Sequence, residues 1–157
     1  MDDLLAKALA GLPHGPEFRF VDRLVTLDPG KRGTAEYLLR GIEWFMRGHF
    51  PGQPIFPGVL LAEAGAQLAG VVAQSDPERP PLPGLKLTAI RKLKITGAVI
   101  PGQTVQLETE VTGRFENLLQ ATVRAVASGQ VVMEGEVTLS GSPGQLVSPG
   151  SSPAHSR

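Results

Sequence analysis

The pattern of apolar and polar positions divides the chain into one long helix and about six strands. Residues 58–74 (GVLLAEAGAQLAGVVAQ) carry the longest continuous pattern, apolar on nearly every side through Val59, Leu60, Leu61, Leu68, Val71 and Val72. A helix of that kind is buried on most of its faces. At about 1.5 Å per residue it spans roughly 25 Å. Ala62, Ala64, Gly65, Ala66, Ala69 and Gly70 keep it slim enough for a sheet to approach closely. Alternation with a period of two is clear in Val105, Leu107, Thr109, Val111 and again in Val131, Met133, Gly135, Val137. Strand-like runs cover 18–27, 32–39, 85–94, 104–114, 118–128 and 131–139. Period-two patterning with one polar face suits an antiparallel sheet.

Turn signals separate these runs: Asp28-Pro29-Gly30-Lys31, Pro101-Gly102, Phe115-Glu116-Asn117 and Gly129-Gln130. Residues 3–10 read as a short helix that Gly11 and Pro13 stop, and 41–46 is ambiguous. Residues 47–58 (RGHFPGQPIFPG) hold three prolines and three glycines, which excludes regular helix or central strand and leaves a stiff loop. A second proline-rich loop covers 75–83. The expected architecture is α+β: one antiparallel sheet curled around one long central helix. Open sheet edges favour dimerisation. The domain is expected over 1–140, with 141–157, rich in Ser, Pro and Gly, as a disordered tail.

Composition narrows the function. A length of 157 residues suits one domain, and 41% hydrophobic residues suffice for a core. Fifteen basic and 15 acidic residues give a formal net charge of zero, which argues against bulk attraction to nucleic acid or anionic lipid. The absence of cysteine excludes disulfides, thiolate metal sites and a cysteine nucleophile. Three scattered histidines, His14, His49 and His155, do not suggest a metal site. The longest apolar stretch, Val59 to Ala73, is short for a membrane span and contains Glu63 and Gln67. The N-terminus lacks the basic start and apolar run of a signal peptide. A soluble, cytoplasmic protein is expected.

The candidate chemistry gathers around the long helix. His49 lies on the stiff loop, Gly58 and Val59 at the helix start, Glu63 about a turn and a half in, and Gln67 four residues on, where it shares a face with Glu63. An acid among Leu60, Leu61, Ala62 and Ala64 is costly to bury without a purpose or a partner. Desolvation favours its neutral form, which can donate a proton, whereas an imidazole can accept one near neutral pH. Free N–H groups at the helix start can hold a carbonyl oxygen as it gains negative charge. Base, acid and oxyanion donor together suit loss of a β-hydroxyl from an acyl group, with no metal or organic cofactor. No dinucleotide, P-loop or GxSxG motif is present. Plainer readings stand beside this one. His49 can be a hydrogen-bonded loop residue, Glu63 can bind a backbone group or an arginine across an interface, and His14 reads as a cap or turn residue. Trp44, Phe45 and Phe50 read as core or interface packing. The basic cluster Arg91, Lys92 and Lys94 reads as a solvated strand face.

The segment GHFPGQPIFPGVLLAEAGAQLAG, residues 48–70, resembles the active-site motif of the 3-hydroxyacyl-(acyl-carrier-protein) dehydratases of bacterial type II fatty acid synthesis. LPHGPEFRFVDRLVTLDPGKR (12–32) and LTAIRKLKITGAVIPGQTVQLETEV (87–111) extend the likeness over about residues 12–139. The resemblance implies a hotdog fold and an active site at a homodimer interface. There His49 of one chain faces Glu63 of the other. His49 would be the base and Glu63 the acid, with the N–H of Gly58 and the adjoining Val59 at the thioester oxygen and Gln67 supporting Glu63. Phe50, Ile55 and Phe56 would line the acyl tunnel, and no cofactor is implied. The partner would be acyl carrier protein, whose acidity gives Arg91, Lys92 and Lys94 a docking role. The family also assembles three dimers into a hexamer. Glu rather than Asp at 63 places the chain with the dehydratase-only branch. The flanks depart from the family pattern: LLRGIEWFMRG replaces an Asn-rich approach to the loop, and Gly15-Pro16-Glu17-Phe18 replaces Tyr-Pro-Phe. The rival readings are a hotdog thioesterase with Glu63 activating water, a non-catalytic carrier-binding subunit, and a dehydratase of a secondary-metabolite pathway.

Overall fold

The structure is a computed structural model that describes residues 2–142. The elements follow in the order α1 (Asp2–Ala10), β1 (Arg23–Asp28), β2 (Arg32–Leu38), α2 (Gly58–Gln74), β3 (Lys86–Ile95), β4 (Thr104–Phe115), β5 (Leu118–Ala127) and β6 (Gln130–Ser140). Single 3-10 turns occupy Pro16–Phe18 and Trp44–Met46. The six strands form one antiparallel sheet in the order β1-β2-β4-β5-β6-β3. The chain therefore leaves the sheet after β2, runs through the proline-rich loop and α2, and re-enters at the far edge as β3. That crossover lays α2 against β2 through β6.

The fit of helix to sheet is a matter of missing side-chain atoms. Twelve of the 17 residues of α2 are buried. A Cβ on Gly65 would lie 2.7 Å from Cβ of Val123 on β5, and one on Gly33 of β2 would lie 2.8 Å from a methyl of Val72. The inward rows of the sheet are matched in register. Ala35, Leu107, Ala125 and Met133 form one row, and Gly33, Thr109, Val123 and Gly135 the next. Thr109 is buried among them, and its hydroxyl donates to the Thr122 carbonyl at 2.9 Å. The outward rows alternate charge, with Glu108 beside Arg124 (3.8 Å) and Lys92 beside Glu136 (3.6 Å). The β5–β6 hairpin turns on Ser128 and Gly129, both with positive φ as in a type I′ turn.

Both ends of α2 are tied to the sheet. The last turn gives its carbonyls to Gly30 N–H (2.9 Å to Val72), the Ser75 hydroxyl (2.7 Å to Val72) and Arg114 of β4 (3.3 Å to Ala73). A cation there complements the negative end of the helix. Burial, with Arg79 nearby, pulls the Arg114 guanidinium below its ordinary proton affinity, and Asp76 4.0 Å away opposes that.

The helix bounds expected from sequence, 58–74, coincide with α2, and five of the six strands lie within a residue or so of expectation. β1 is shorter. It starts at Arg23 instead of Phe18, because Phe20 and Val21 are both buried, which breaks the alternation of a half-exposed strand. Residues 143–157, most of the expected tail, lie outside the described residues. Among the described residues no helix is long and apolar enough to cross a membrane.

Gly65→Ala puts a Cβ where Val123 already stands, so helix and sheet must part. The expected outcome is a loss of about 1–3 kcal/mol, the usual scale of overpacking. It is measured as a lower urea midpoint with an unchanged slope.

Candidate active site

His49 sits in a loop whose backbone is set by strain as well as by proline. Phe50 has φ 57 and Gly52 φ 88, both in the left-handed region. Gln53 N–H closes the turn onto the Phe50 carbonyl at 2.9 Å, and Phe56 N–H reaches the Val99 carbonyl at 2.8 Å. The His49 ring is held by Nδ1, 2.9 Å from the Ile55 carbonyl. A carbonyl only accepts, so Nδ1 carries the hydrogen and the neutral ring has its lone pair on Nε2. The loop thus fixes the tautomer a proton acceptor needs.

The approach to this loop is ordered by Glu43. Its carboxylate accepts from the backbone N–H of Arg40 and of Gly41, each at 2.7 Å. The buried Tyr37 hydroxyl lies 3.5 Å from the same group. Burial, reinforced by the Glu43 charge, pushes the Tyr37 phenol well above its ordinary pKa, so it stays a donor.

Glu63 lies on the second turn of α2 with its side chain 16% exposed. Oε1 accepts from Gln67 Nε2 at 3.2 Å and lies 3.0 Å from His14 Nε2. Gln67, 2% exposed, uses both ends of its amide. Its Oε1 accepts from Phe20 N–H at 2.9 Å and its Nε2 also donates to the Phe18 carbonyl at 2.8 Å. That helps explain why Phe18 to Phe20 does not run as strand: a helix side chain takes backbone groups that a neighbouring strand would otherwise take, and bonding to β2 begins only at Asp22 N–H, 2.9 Å from the Glu36 carbonyl. The same bonds carry the N-terminal arm, and His14 with it, onto the Glu63 face of α2.

At the start of α2, the N–H groups of Leu60 and Leu61 bond to the Pro57 carbonyl, at 2.9 and 3.3 Å. Those of Gly58 and Val59 have no partner among the described residues. Gly58 is close-packed, since a Cβ there would come within 2.5 Å of the Ile95 side chain.

Within one chain the structure does not bring His49 to Glu63. Among the described residues His49 bonds to Ile55, and Glu63 to Gln67 and His14. Of the expected tunnel residues, Phe56 is the buried one. It is 2% exposed and packs edge-on against Phe20, Tyr37 and Phe45, so its ring fills the core. Phe50 is exposed, with its ring 4.5 Å from that of His49, and Ile55 holds His49 through its carbonyl. A cavity that opens on Glu63 is lined by Leu12, His14, Gly70, Val71 and Leu85, and it runs along α2 to Gln74. The basic cluster lies on β3, where Arg91 pairs with Glu136 and Lys94 with Glu134 in register, next to a bulge at Lys92 (φ 51). Lys92 and Lys94 face a broad concavity on the outer side of the sheet, shared with Glu108, Glu110, Glu134 and Glu136. Arg32 and Arg124 line the same concavity. His14, expected as a cap or turn residue, is the group that sequence reasoning missed. The only local signal was a histidine in a Leu-Pro-His-Gly turn.

A sheet curled around one apolar helix, with a carboxyl and an amide on that helix facing a cavity, defines a hotdog-fold protein. The solved structures similar to this chain share that fold. They include the dehydratase heterocomplex ApeI:P from Xenorhabdus doucetiae (TM-score 0.72, 14% identity, 83% of this chain and 88% of that one). Another is zebrafish thioesterase superfamily member 2 (TM-score 0.64, 16% identity, 87% and 92%). A family model described as a FabA-like domain matches residues 12–136. Similar proteins named 3-hydroxyacyl-(acyl-carrier-protein) dehydratase FabZ include those of Roseiflexus castenholzii, 37% identical over 85% of this chain and 92% of the relative, and of Anaeromyxobacter sp. (strain K), 41% identical over 80% and 81%. The chain belongs to the FabA-like dehydratase family.

Gln67→Leu removes the partners of Phe20 N–H and the Phe18 carbonyl at once. Each unsatisfied buried group costs about 1–3 kcal/mol. The expected outcome is a markedly lower unfolding midpoint, with the Phe20 amide losing its protection from hydrogen exchange.

Proposed function

We propose that the chain is a hydro-lyase that dehydrates 3-hydroxyacyl thioesters carried on acyl carrier protein to trans-2-enoyl thioesters, in type II fatty acid synthesis, as a homodimer with two shared sites. The observation that carries the reading is the state of the two proton-handling groups. Among the described residues His49 has Nδ1 committed to Ile55 and no partner on Nε2, and Glu63 has one oxygen committed and one without a partner. The dehydratase names of relatives up to 41% identical point to the same reaction.

In the proposed reaction His49 Nε2 takes the proton from the carbon alpha to the thioester. The electron pair of that C–H bond forms the C=C bond. The N–H groups of Gly58 and Val59, at the positive end of α2, hold the thioester oxygen as charge develops on it. Glu63 of the partner subunit protonates the β-hydroxyl, the C–O bond breaks, and water leaves. One proton is gained by His49 and one lost by Glu63, so exchange with solvent resets both groups. The acyl chain would enter beside Glu63, where Leu12, Val71 and Leu85 offer apolar walls.

The surface supports a dimer. β3 is a sheet edge that is exposed along nearly its whole length, Ile90 and Ile95 included. Ile95 packs on Gly58, and Val59 next to it is 67% exposed. Unpaired edges and exposed apolar side chains at a helix start call for cover. A second chain supplies both the cover and the missing half of the site.

His49→Ala and Glu63→Gln are each expected to lower dehydration at least about a hundredfold, the scale of losing a general acid or base. The measurement is enoyl absorbance on a 3-hydroxybutyryl carrier thioester. Release of free thiol in place of the enoyl signal would make the protein a thioesterase. Refolded together, the two inactive variants form hybrid dimers with one intact site, and about a quarter of the activity should return by random pairing. No return would overturn the shared site.

A further inference from the structure

Glu63 has a neighbour that the reaction above leaves without a task. His14 Nε2 lies 3.0 Å from Glu63 Oε1, on an arm that comes from a different part of the chain. Two lone pairs do not sit that close, so a hydrogen lies on one of the two atoms. The other ring nitrogen, Nδ1, is enclosed and has no hydrogen-bond partner. An imidazolium would bury an unsatisfied N–H there. The neutral ring with its hydrogen on Nε2 buries only a lone pair, which is the cheaper of the two. Nε2–H is therefore the atom that faces Glu63.

Gln67 Nε2 donates to the same oxygen at 3.2 Å. Oε1 is thus approached by two N–H groups and acts as an acceptor only. Oε2 makes no hydrogen bond among the described residues, and it is absent from the enclosed polar atoms that lack a partner, so it is open to the cavity. We propose that His14 is a positioning residue for the acid: with Gln67 it holds Oε1, fixes the rotation of the carboxyl group, and assigns the transferable proton of Glu63 to Oε2. The proposal rests on the reading of Glu63 as the general acid.

The arm is built to hold that ring still. His14 stacks on Phe18 with centroids 5.7 Å apart and planes 27° from parallel. Phe18 is itself tied to Gln67 through its carbonyl, and Arg19 Nη2 donates to the His14 carbonyl at 3.3 Å. A misplaced acid loses rate in the chemical step more than it loses substrate affinity.

The test compares His14→Phe, which keeps the stacked ring and removes the N–H, with His14→Gln, which returns an N–H near the Nε2 position. Both are assayed on the 3-hydroxybutyryl carrier thioester beside Glu63→Gln, with urea midpoints to confirm folding. The expected result is kcat lower by about tenfold in His14→Phe, KM within about twofold, and most of kcat restored in His14→Gln. In the unmodified enzyme, nitrogen-15 spectra of labelled histidine should show His14 neutral with its hydrogen on Nε2. Full kcat in a folded His14→Phe, no recovery in His14→Gln, or a hydrogen on Nδ1 would each overturn the proposal while leaving the acid role of Glu63 intact. If Glu63→Gln keeps full activity, the acid reading fails and this proposal fails with it. The spectra also decide the matter should His14→Phe fail to fold.

Discussion

The contact on which the rest depends is the close approach of α2 to the sheet. The helix is too apolar to lie on a surface, so the sheet curls to enclose it, and glycine at 33 and 65 lets the two backbones come together. Enclosure has a chemical consequence. Once β2 to β6 cover most of the helix and the N-terminal arm part of the rest, little of α2 is left near a cavity. The face that borders the cavity carries Glu63, Gln67 and Gly70. A carboxyl group placed there is shielded from water without being sealed from substrate, which is the compromise a proton donor needs.

Gln67 connects packing to chemistry. One buried amide takes the backbone of Phe18 and Phe20 and also touches Glu63. A buried polar side chain is tolerated when each of its groups finds a partner, and such a network then specifies a single arrangement. Here the arrangement specified is where the arm crosses α2, and so where His14 stands. The arm could bend there because its residues were freed from sheet alternation, with Phe20 and Val21 both turned to the core.

The loop before α2 solves a different problem. Its backbone is held by prolines, by left-handed residues at 50 and 52, and by two cross-links, His49 to Ile55 and Phe56 to Val99. Stiffness keeps the imidazole in one tautomer, with Nε2 directed away from its own support. Among the described residues no carboxylate pairs with it. The free edge of β3 and the exposed apolar residues at the start of α2 are the surface proposed for a second chain, whose association would complete the proposed site.

The helix, its bounds and the alternating strands could be read from the chain because they are local. Periodicity of 3.6 or two, and turns at Gly129 and Asp28-Pro29-Gly30, depend only on neighbouring residues. The cluster of His49, Gly58, Glu63 and Gln67 could be singled out for the same reason, since a stiff loop and one helix face carry all four. Three features were settled only by tertiary structure. β1 lost its first residues to a side chain from α2. Phe56 packs against three other aromatic rings from distant parts of the chain. His14 arrived next to Glu63 through a long-range bond pattern centred on Gln67. Local sequence records what each segment prefers, whereas which distant group satisfies a buried donor or acceptor is decided only when the segments pack.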